Sequence, residues 1–309
     1  MPGSPRARIY SPEMRGIRIG TRGSTLALAQ TGLVADALRA LGSEVEVVPI
    51  RTSGDQRKGD DKSRFVKEIE EALLAGEVDL AVHSAKDVPG ELPDGLAIVA
   101  VPERADPRDA LCGAAALGEL AEGARVGTGS LRRRAQLLAA RPDLRVEDLR
   151  GNVDTRLKRL TDGDYDAIVL AAAGLARLGR AGEGTPVEAI TPAPGQGCLA
   201  LEARADDSET AGVAARLTHR ESLICLTAER ALVAQLDATC RTPVAAHARL
   251  EDGALVLDAF VGLPDGSTWI RDTVSGPAGD PVLLGRELAA RLLAVGAADV
   301  LAQAELAAP

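Results

Sequence analysis

The chain has 309 residues, of which 46% are hydrophobic, and a formal net charge of −9. This length predicts two or three domains with buried cores, and the apolar fraction excludes a disordered chain. Aromatic residues make up only 2% of the sequence, which leaves few surfaces on which nucleic-acid bases could stack. The negative balance also opposes general binding to phosphate backbones. We therefore expect no nucleic-acid partner.

Neither a membrane span nor a secretory signal is expected from the sequence. The longest apolar runs are broken by Gly, Arg or Asp within about ten residues, and residues 1–16 lack the apolar segment of a signal peptide. A cytoplasmic protein without a membrane partner is the prediction. The four cysteines stand far apart, with no CxxC pair and only three histidines. That pattern favours reduced thiols and argues against a metal site.

The first third of the chain alternates strands and helices. Short apolar runs predict strands at 17–20, 45–50, 78–82 and 95–101. Apolar residues at helical spacing predict helices at 25–41 and 65–75. The polar and charged residues 52–64 between them predict a loop. Such alternation is typical of parallel βα units.

A second βα series follows the charged stretch 102–109, whose two prolines indicate a hinge. Its predicted strands are 125–127, 145–149 and 166–171, with helices starting at Leu131 and Val153. The segment 192–197 (PAPGQG) marks a second crossing of the chain, and a strand is predicted at 198–204.

The pattern changes near Glu221. A helix there is followed by three strands separated by turns, and by a terminal helix predicted at 280–297. Hairpins of this kind predict a small α+β domain with an antiparallel sheet.

One internal similarity suggests that the first two units are related. Residues 19–26 (IGTRGSTL) resemble residues 126–131 (VGTGSL), and both read as a strand, a Gly-Thr turn, a serine cap and a helix. We therefore expect two facing α/β lobes, with the chain crossing twice between them. Clefts of this kind bind ligands at the carboxyl ends of strands and at helix N-termini.

Three arginines, residues 132–134, follow directly after the predicted helix cap Ser130. A helix N-terminus is already positive, so stability alone favours acidic residues in that turn. Departures of this kind concentrate at functional sites, and an anionic ligand would satisfy both the side chains and the free N–H groups. The alternative is a solvated basic turn.

Further arginines recur at predicted strand ends: Arg22, Arg150, Arg156 and Arg177. An open α/β sheet presents its ligand groups at those ends. Charge-assisted hydrogen bonds contribute roughly 1.5–3 kcal/mol each, so several could hold a polycarboxylate tightly. The recurrence predicts an anion-binding cleft.

Two further segments could carry chemistry. Lys86 and Asp87 follow the strand predicted at 78–82, where a carboxylate could stabilise a developing cation and transfer a proton. An exposed ion pair is the alternative for them. Cys240 lies in a loop and, taken by itself, reads as an ordinary free thiol rather than a nucleophile.

Together these residues resemble the hydroxymethylbilane synthase (porphobilinogen deaminase) family. The resemblance runs in the family's order from about residue 17 to the C-terminus. The matching segments are TRGSTLALAQ (21–30), FVKEIEEALL (65–74), DLAVHSAKDVP (79–89), ERADPRDAL (103–111), VGTGSLRRRAQL (126–137), LRGNVDTRLKRL (149–160), YDAIVLAAAGLARL (165–178), PGQGCLALEAR (194–204), TAERALVAQL (227–236) and CRTPVAAHA (240–248).

The resemblance implies an α/β fold of two lobes similar to those of type II periplasmic binding proteins. A small α+β domain with an antiparallel three-stranded sheet would follow. The implied limits are 1–104 with 198–220 for the first domain, 105–197 for the second and 221–309 for the third. Members of this family are monomeric transferases that join four porphobilinogen molecules head to tail into hydroxymethylbilane, releasing ammonia, in tetrapyrrole biosynthesis.

The same resemblance implies a cofactor and a set of site residues. A dipyrromethane would be attached to Cys240 through a thioether, and Asp87 would be the catalytic carboxylate that stabilises the cation formed when ammonia leaves. The implied cofactor-binding residues are Lys86, Asp87, Thr128, Ser130, Arg132 and Arg133. The implied substrate-binding residues are Arg22, Ser24, Lys62, Arg150, Arg156 and Arg177. No metal is implied.

Some positions depart from the family pattern. Residues 60–65 read DDKSRF where the family has GGKGLF. The loss of three glycines predicts a stiffer loop, and the two carboxylates should repel an anionic substrate, which weakens the role implied for Lys62. Gly129 replaces a serine, Thr25 a proline and Cys198 an alanine. None of these changes removes a charged cleft residue, so activity is expected to survive.

Two alternatives stay open at this point. A non-enzymatic two-lobed binding protein for an anionic metabolite would explain the arginines, although not the third domain that carries Cys240. A family member impaired by its altered loop is the second alternative.

Overall fold

A computed structural model describes residues 16–51, 66–239 and 242–306. The strands in chain order are β1 (Ile17–Arg22), β2 (Val45–Ile50), β3 (Leu80–Ser84), β4 (Leu96–Ala100), β5 (Asp109–Cys112), β6 (Arg125–Gly127), β7 (Arg145–Glu147), β8 (Ala167–Ala171), β9 (Thr185–Val187), β10 (Leu199–Arg204), β11 (Val244–Glu251), β12 (Ala254–Gly262) and β13 (Trp269–Pro277). The helices are α1 (Thr25–Ala40), α2 (Lys67–Leu74), α3 (Leu131–Ala140), α4 (Val153–Thr161), α5 (Ala172–Arg177), α6 (Ser208–Ala215), α7 (Arg220–Gln235), α8 (Pro281–Ala294) and α9 (Ala297–Leu306).

The first lobe is built on a five-stranded sheet with the order β2-β1-β3-β10-β4. β1 runs parallel to β2 and β3, whereas β10 runs antiparallel to both β3 and β4. Alternate residues of each strand point to opposite faces. Ile19 and Leu80 therefore pack with α1 on one face, and Ala81 packs with Ile69 and Leu73 of α2 on the other.

The second lobe repeats this arrangement in the order β7-β6-β8-β5-β9. β6 runs parallel to β7 and β8, and β5 runs antiparallel to β8 and β9. In each sheet one strand, β10 or β5, runs antiparallel to both of its neighbours. That strand directly follows a crossing segment of the chain. The similar stretches 19–26 and 126–131 occupy equivalent places at β1–α1 and β6–α3. The expectation of two related lobes is confirmed.

The third unit is a small α+β domain in which α7 and α8 pack on the antiparallel sheet β11-β12-β13. This architecture is also confirmed. The helix predicted at 280–297 is present as α8, but it is not the terminal helix, because a further helix, α9, follows it. Gly296 lies between them with φ +99°, a left-handed conformation that ends a helix and that glycine adopts without strain.

Both crossing segments are tied to the third domain by one buried ion pair. Arg104 in the first crossing places Nη1 2.7 Å from Oε1 of Glu229 on α7. The same carboxylate accepts hydrogen bonds from the backbone N–H of Gly195 in the second crossing (2.6 Å) and of Ala248 in β11 (2.7 Å). Glu229 is fully buried. One carboxylate therefore joins both crossings to the third domain.

Gly197 allows the two crossings to approach each other closely. Its φ is +88°, and a Cβ added there would lie 2.4 Å from the carbonyl oxygen of Ala105. No larger residue fits this position without separating the crossings. Among the described residues, none of the helices is both long and apolar enough for a transmembrane segment.

Candidate active site

The helix caps predicted at the cleft are present in both lobes. Ser24 caps α1 by accepting a hydrogen bond from the N–H of Ala27 (3.3 Å), and Ser130 caps α3 by accepting from the N–H of Arg133 (3.4 Å). Asn152 caps α4 in the same way through Thr155. These caps fix each helix N-terminus directly after the carboxyl end of a strand.

Arg132 and Arg133 turn inward rather than into solvent, each with 5% of its surface exposed. Both guanidinium groups pair with Asp109 at the start of β5, at N–O distances of 2.7 Å. Arg132 also donates to the carbonyl of Thr191 and Arg133 to that of Val169. The alternative of a solvated basic turn is therefore wrong for these two residues.

Asp109, the partner of both arginines, was not among the residues predicted from the sequence. Burial acts to raise the pKa of Asp109, but Arg132 and Arg133 outweigh it and hold that pKa well below its usual range. One carboxylate facing two guanidinium groups leaves one positive charge uncompensated in the interior. Its position directly before the apolar run 110–112 could have indicated that Asp109 is buried. Because buried carboxylates require partners, it would then have been a candidate partner for the arginines.

We expect Asp109→Asn to lower the free energy of unfolding by about 3–5 kcal/mol, because it leaves two buried guanidinium groups without a counter-charge. The pKa of Asp109 is lowered in the folded state. Its contribution is therefore present above the unfolded pKa of about 3.9 and is lost as pH falls through the folded value. The difference between wild type and variant should be constant from pH 5 to 8 and shrink in more acidic solution. Denaturant unfolding at several pH values measures it.

Asp106→Asn is the matched control for this experiment. Asp106 pairs with Arg108, and both side chains are partly exposed at 32% and 41%. Pairs of this kind contribute about 1 kcal/mol or less. Equal losses in the two variants would show that Asp109 has no special part in neutralising the arginines.

Arg156 lies on α4 of the second lobe, and charges of both lobes affect its pKa. Its Nε donates to the carbonyl of Gly151 at 2.7 Å. Burial and the positive charge of Arg133 lower its pKa to about 10, while Asp148 and Asp87 act in the opposite direction. Asp87 follows β3 of the first lobe and Arg156 lies on α4 of the second, so the influence of Asp87 on this pKa acts between the lobes. Arg156 stays charged at neutral pH.

Lys86 and Asp87 form a short 3-10 turn directly after β3. The Lys86 ammonium donates to Oε1 of Gln196 at 3.2 Å, which ties the turn to the second crossing. Gly195 permits this approach, because a Cβ at that position would lie 3.0 Å from the backbone of residues 85 and 86. The turn that carries Asp87 therefore rests against the hinge.

The remaining residues predicted for the site differ in their burial and in their contacts. Thr128 is buried, and its Oγ1 accepts from the N–H of Ser130 at 3.2 Å. Arg177 donates to the carbonyl of Gly197 at 2.6 Å, and burial lowers its pKa. Arg150 is half exposed and pairs with Asp148 at 2.6 Å. Arg22 ends β1 beside the Ser24 cap. Lys62, the predicted loop 52–64 and Cys240 lie outside the described residues.

Two family models match the chain along most of its length. "Porphobilinogen deaminase, dipyromethane cofactor binding domain" matches residues 17–212, and "Porphobilinogen deaminase, C-terminal domain" matches residues 223–294. This chain belongs to the porphobilinogen deaminase family.

Individual relatives support the same assignment, and each of the following is named porphobilinogen deaminase. The Roseiflexus sp. protein is 50% identical over 92% of this chain and 98% of its own length. The Thermus thermophilus protein is 49% identical over 94% of this chain and 99% of its own. The Deinococcus radiodurans protein is 48% identical over 93% and 98%. Among solved structures, the methionine-binding protein MetQ is 16% identical, with a TM-score of 0.44 over 65% of this chain and 89% of that protein.

The site fits the dipyrromethane cofactor of the porphobilinogen deaminase family. Two linked pyrroles with their acetate and propionate groups carry several carboxylates, which require converging cations. Arg132, Arg133 and Arg156 supply guanidinium groups, and Asp109 neutralises only one of them. Such a donor set suits a polycarboxylate held by charge-assisted hydrogen bonds.

Proposed function

We propose that this chain acts as a hydroxymethylbilane synthase, with Asp87 as its catalytic carboxylate. The reaction is the deaminating head-to-tail condensation of four porphobilinogen molecules on a dipyrromethane cofactor. The observation that supports the assignment of Asp87 is its place in the turn directly after β3, which the Lys86–Gln196 hydrogen bond holds against the second crossing.

The proposed reaction forms a cation, which a carboxylate can stabilise. Loss of ammonia from porphobilinogen leaves a cationic azafulvene, and the Asp87 carboxylate would stabilise that charge and accept hydrogen bonds from pyrrole N–H groups. The cofactor supplies the nucleophilic pyrrole α-carbon of the growing chain. Asp87 would also hold the proton that is lost once the new carbon–carbon bond has formed.

Cations would position the acidic chain. Each added unit brings two further carboxylates, so several binding groups are needed along the cleft. The residues proposed to bind the cofactor are Lys86, Asp87, Thr128, Ser130, Arg132 and Arg133, with Cys240 as the point of attachment. The residues proposed to bind substrate and the growing chain are Arg22, Ser24, Lys62, Arg150, Arg156 and Arg177. Inward-facing Arg132 and Arg133 support the cofactor set.

Three finer features belong to the same proposal. We infer a cytoplasmic location and a monomeric enzyme. The domain limits follow the sequence: 1–104 with 198–220, 105–197 and 221–309.

Turnover of porphobilinogen by the purified chain tests the function. We expect one hydroxymethylbilane and four molecules of ammonia for every four porphobilinogen molecules consumed, measured by absorbance after oxidation to porphyrin and by an ammonia assay. Binding of porphobilinogen without consumption would instead support the alternative of a binding protein. Stoichiometric but very slow turnover would indicate a member impaired by its altered loop.

A further inference from the structure

A continuous chain of polar contacts links the two lobes through Gln196, which is 1% exposed. Its Oε1 accepts from Nζ of Lys86 at 3.2 Å, and its Nε2 donates to Oδ1 of Asp109 at 2.9 Å. Nε2 also donates to the carbonyl of Pro107 at 2.7 Å. Asp109 in turn holds Arg132 and Arg133. The path runs from the turn of Asp87 to the buried arginines.

An amide is the side chain that this position requires. An ammonium group only donates hydrogen bonds, and an ionised carboxylate only accepts them. Gln196 accepts from Lys86 with its oxygen and donates both amide hydrogens, one to Asp109 and one to Pro107. A carboxylate at 196 would face Asp109 as a like charge, and an apolar side chain would remove all three of these hydrogen bonds.

The neutral amide also separates two opposite charges. If Lys86 paired directly with Asp109, that carboxylate would be shared among three cations. With Gln196 between them, Lys86 is held in place without being neutralised through this contact. Because Gln196 lies in the second crossing and Pro107 in the first, the contact also fixes the two crossings relative to each other.

We propose that Gln196 is a positioning residue that fixes the Lys86 ammonium relative to Arg132 and Arg133, so that cations of both lobes act as one site for the carboxylates of the cofactor. This inference rests on the proposed function, because that function assigns those three residues to the cofactor. Gln196 acts through Lys86 and does not itself touch the reacting atoms.

A double-mutant cycle on the holoenzyme tests this inference. Gln196→Met removes the amide at similar volume, and Lys86→Met removes the ammonium. We expect Gln196→Met to lower kcat/KM about tenfold in the wild-type background, as for a lost hydrogen bond to a charged group. In the Lys86→Met background the same change should lower it less than about twofold, because the group through which Gln196 acts is gone. Equal losses in both backgrounds would overturn the proposal.

Gln136→Met serves as the matched control. Gln136 is also a buried glutamine, and it exchanges hydrogen bonds with the backbone of Thr191 rather than with Lys86. Its loss in kcat/KM should be the same in both backgrounds. Thermal melting confirms that each variant is folded. If Gln196→Met does not fold, Gln196→Asn, whose shorter amide cannot bridge Lys86 and Asp109, replaces it in the cycle with the same expectation. A larger loss in the wild-type background than in the Lys86→Met background would support positioning through Lys86, and equal losses would contradict it.

Failure of this inference is distinguishable from failure of the proposed function. A wild-type chain that carries no dipyrromethane mass and forms no hydroxymethylbilane would refute the function itself. An active, cofactor-bearing wild type with additive losses in the cycle would leave the function intact and remove only Gln196 from its positioning role.

Discussion

Asp87→Asn is expected to lower kcat by about 100-fold or more while the cofactor stays attached. The amide has nearly the shape of the carboxylate but carries no charge, so it neither stabilises a developing cation nor accepts a proton. Steady-state turnover of porphobilinogen measures kcat, and the intact mass of the protein shows whether the cofactor is attached.

Asp94→Asn provides a control close to Asp87 in the chain. Asp94 is exposed, beyond the turn that carries Asp87, and its replacement should leave kcat within about twofold, as for most surface substitutions. A near-normal rate for Asp87→Asn would remove that residue from the catalytic role. A loss accompanied by missing cofactor mass would instead assign it to cofactor assembly.

Cys240→Ser is expected to abolish both the cofactor and nearly all turnover. A thiolate is a far better nucleophile than a serine hydroxyl, so the thioether to the dipyrromethane should not form in the variant. The wild-type protein should exceed its sequence mass by one dipyrromethane, and the variant should match its sequence mass. Intact-mass spectrometry of the two proteins decides the question.

The buried thiol of Cys225 supplies the comparison. Burial raises the pKa of Cys225 to about 11, which leaves it almost entirely protonated and poorly reactive at neutral pH. Cys225→Ser should therefore keep the full mass increment. An unmodified but active wild-type enzyme would refute the attachment at Cys240.

Local sequence patterns predicted much of the fold. Periodicity and capping residues located α1, α3 and α4 and their strands to within a few residues, because these features depend on neighbours in the chain. Two strands were missed. β5 begins inside the charged stretch interpreted as a hinge, and β9 is a three-residue strand with a proline at its centre, which argues against a strand.

The site was predicted less completely, and the reason is also physical. The sequence pointed to Arg132 and Arg133 because three arginines contradict the preference of a helix N-terminus. It did not reveal Asp109 or its contact with Gln196, which joins residues 87 positions apart. Partners brought together by the crossings leave no local signature, whereas a residue that violates a local rule does.

The ion pair of Arg104 and Glu229 has a consequence for how this molecule comes apart. Glu229 contacts both crossings and β11 at once, so detaching the C-terminal unit would break the pair with Arg104 and the hydrogen bond from Gly195, and would expose the apolar cluster around Leu226. A truncated protein that contains only the two lobes is therefore not expected to fold stably. Loss of structure should spread from any one unit to the others, and the polypeptide should denature cooperatively, because apolar clusters also join the third unit to each lobe.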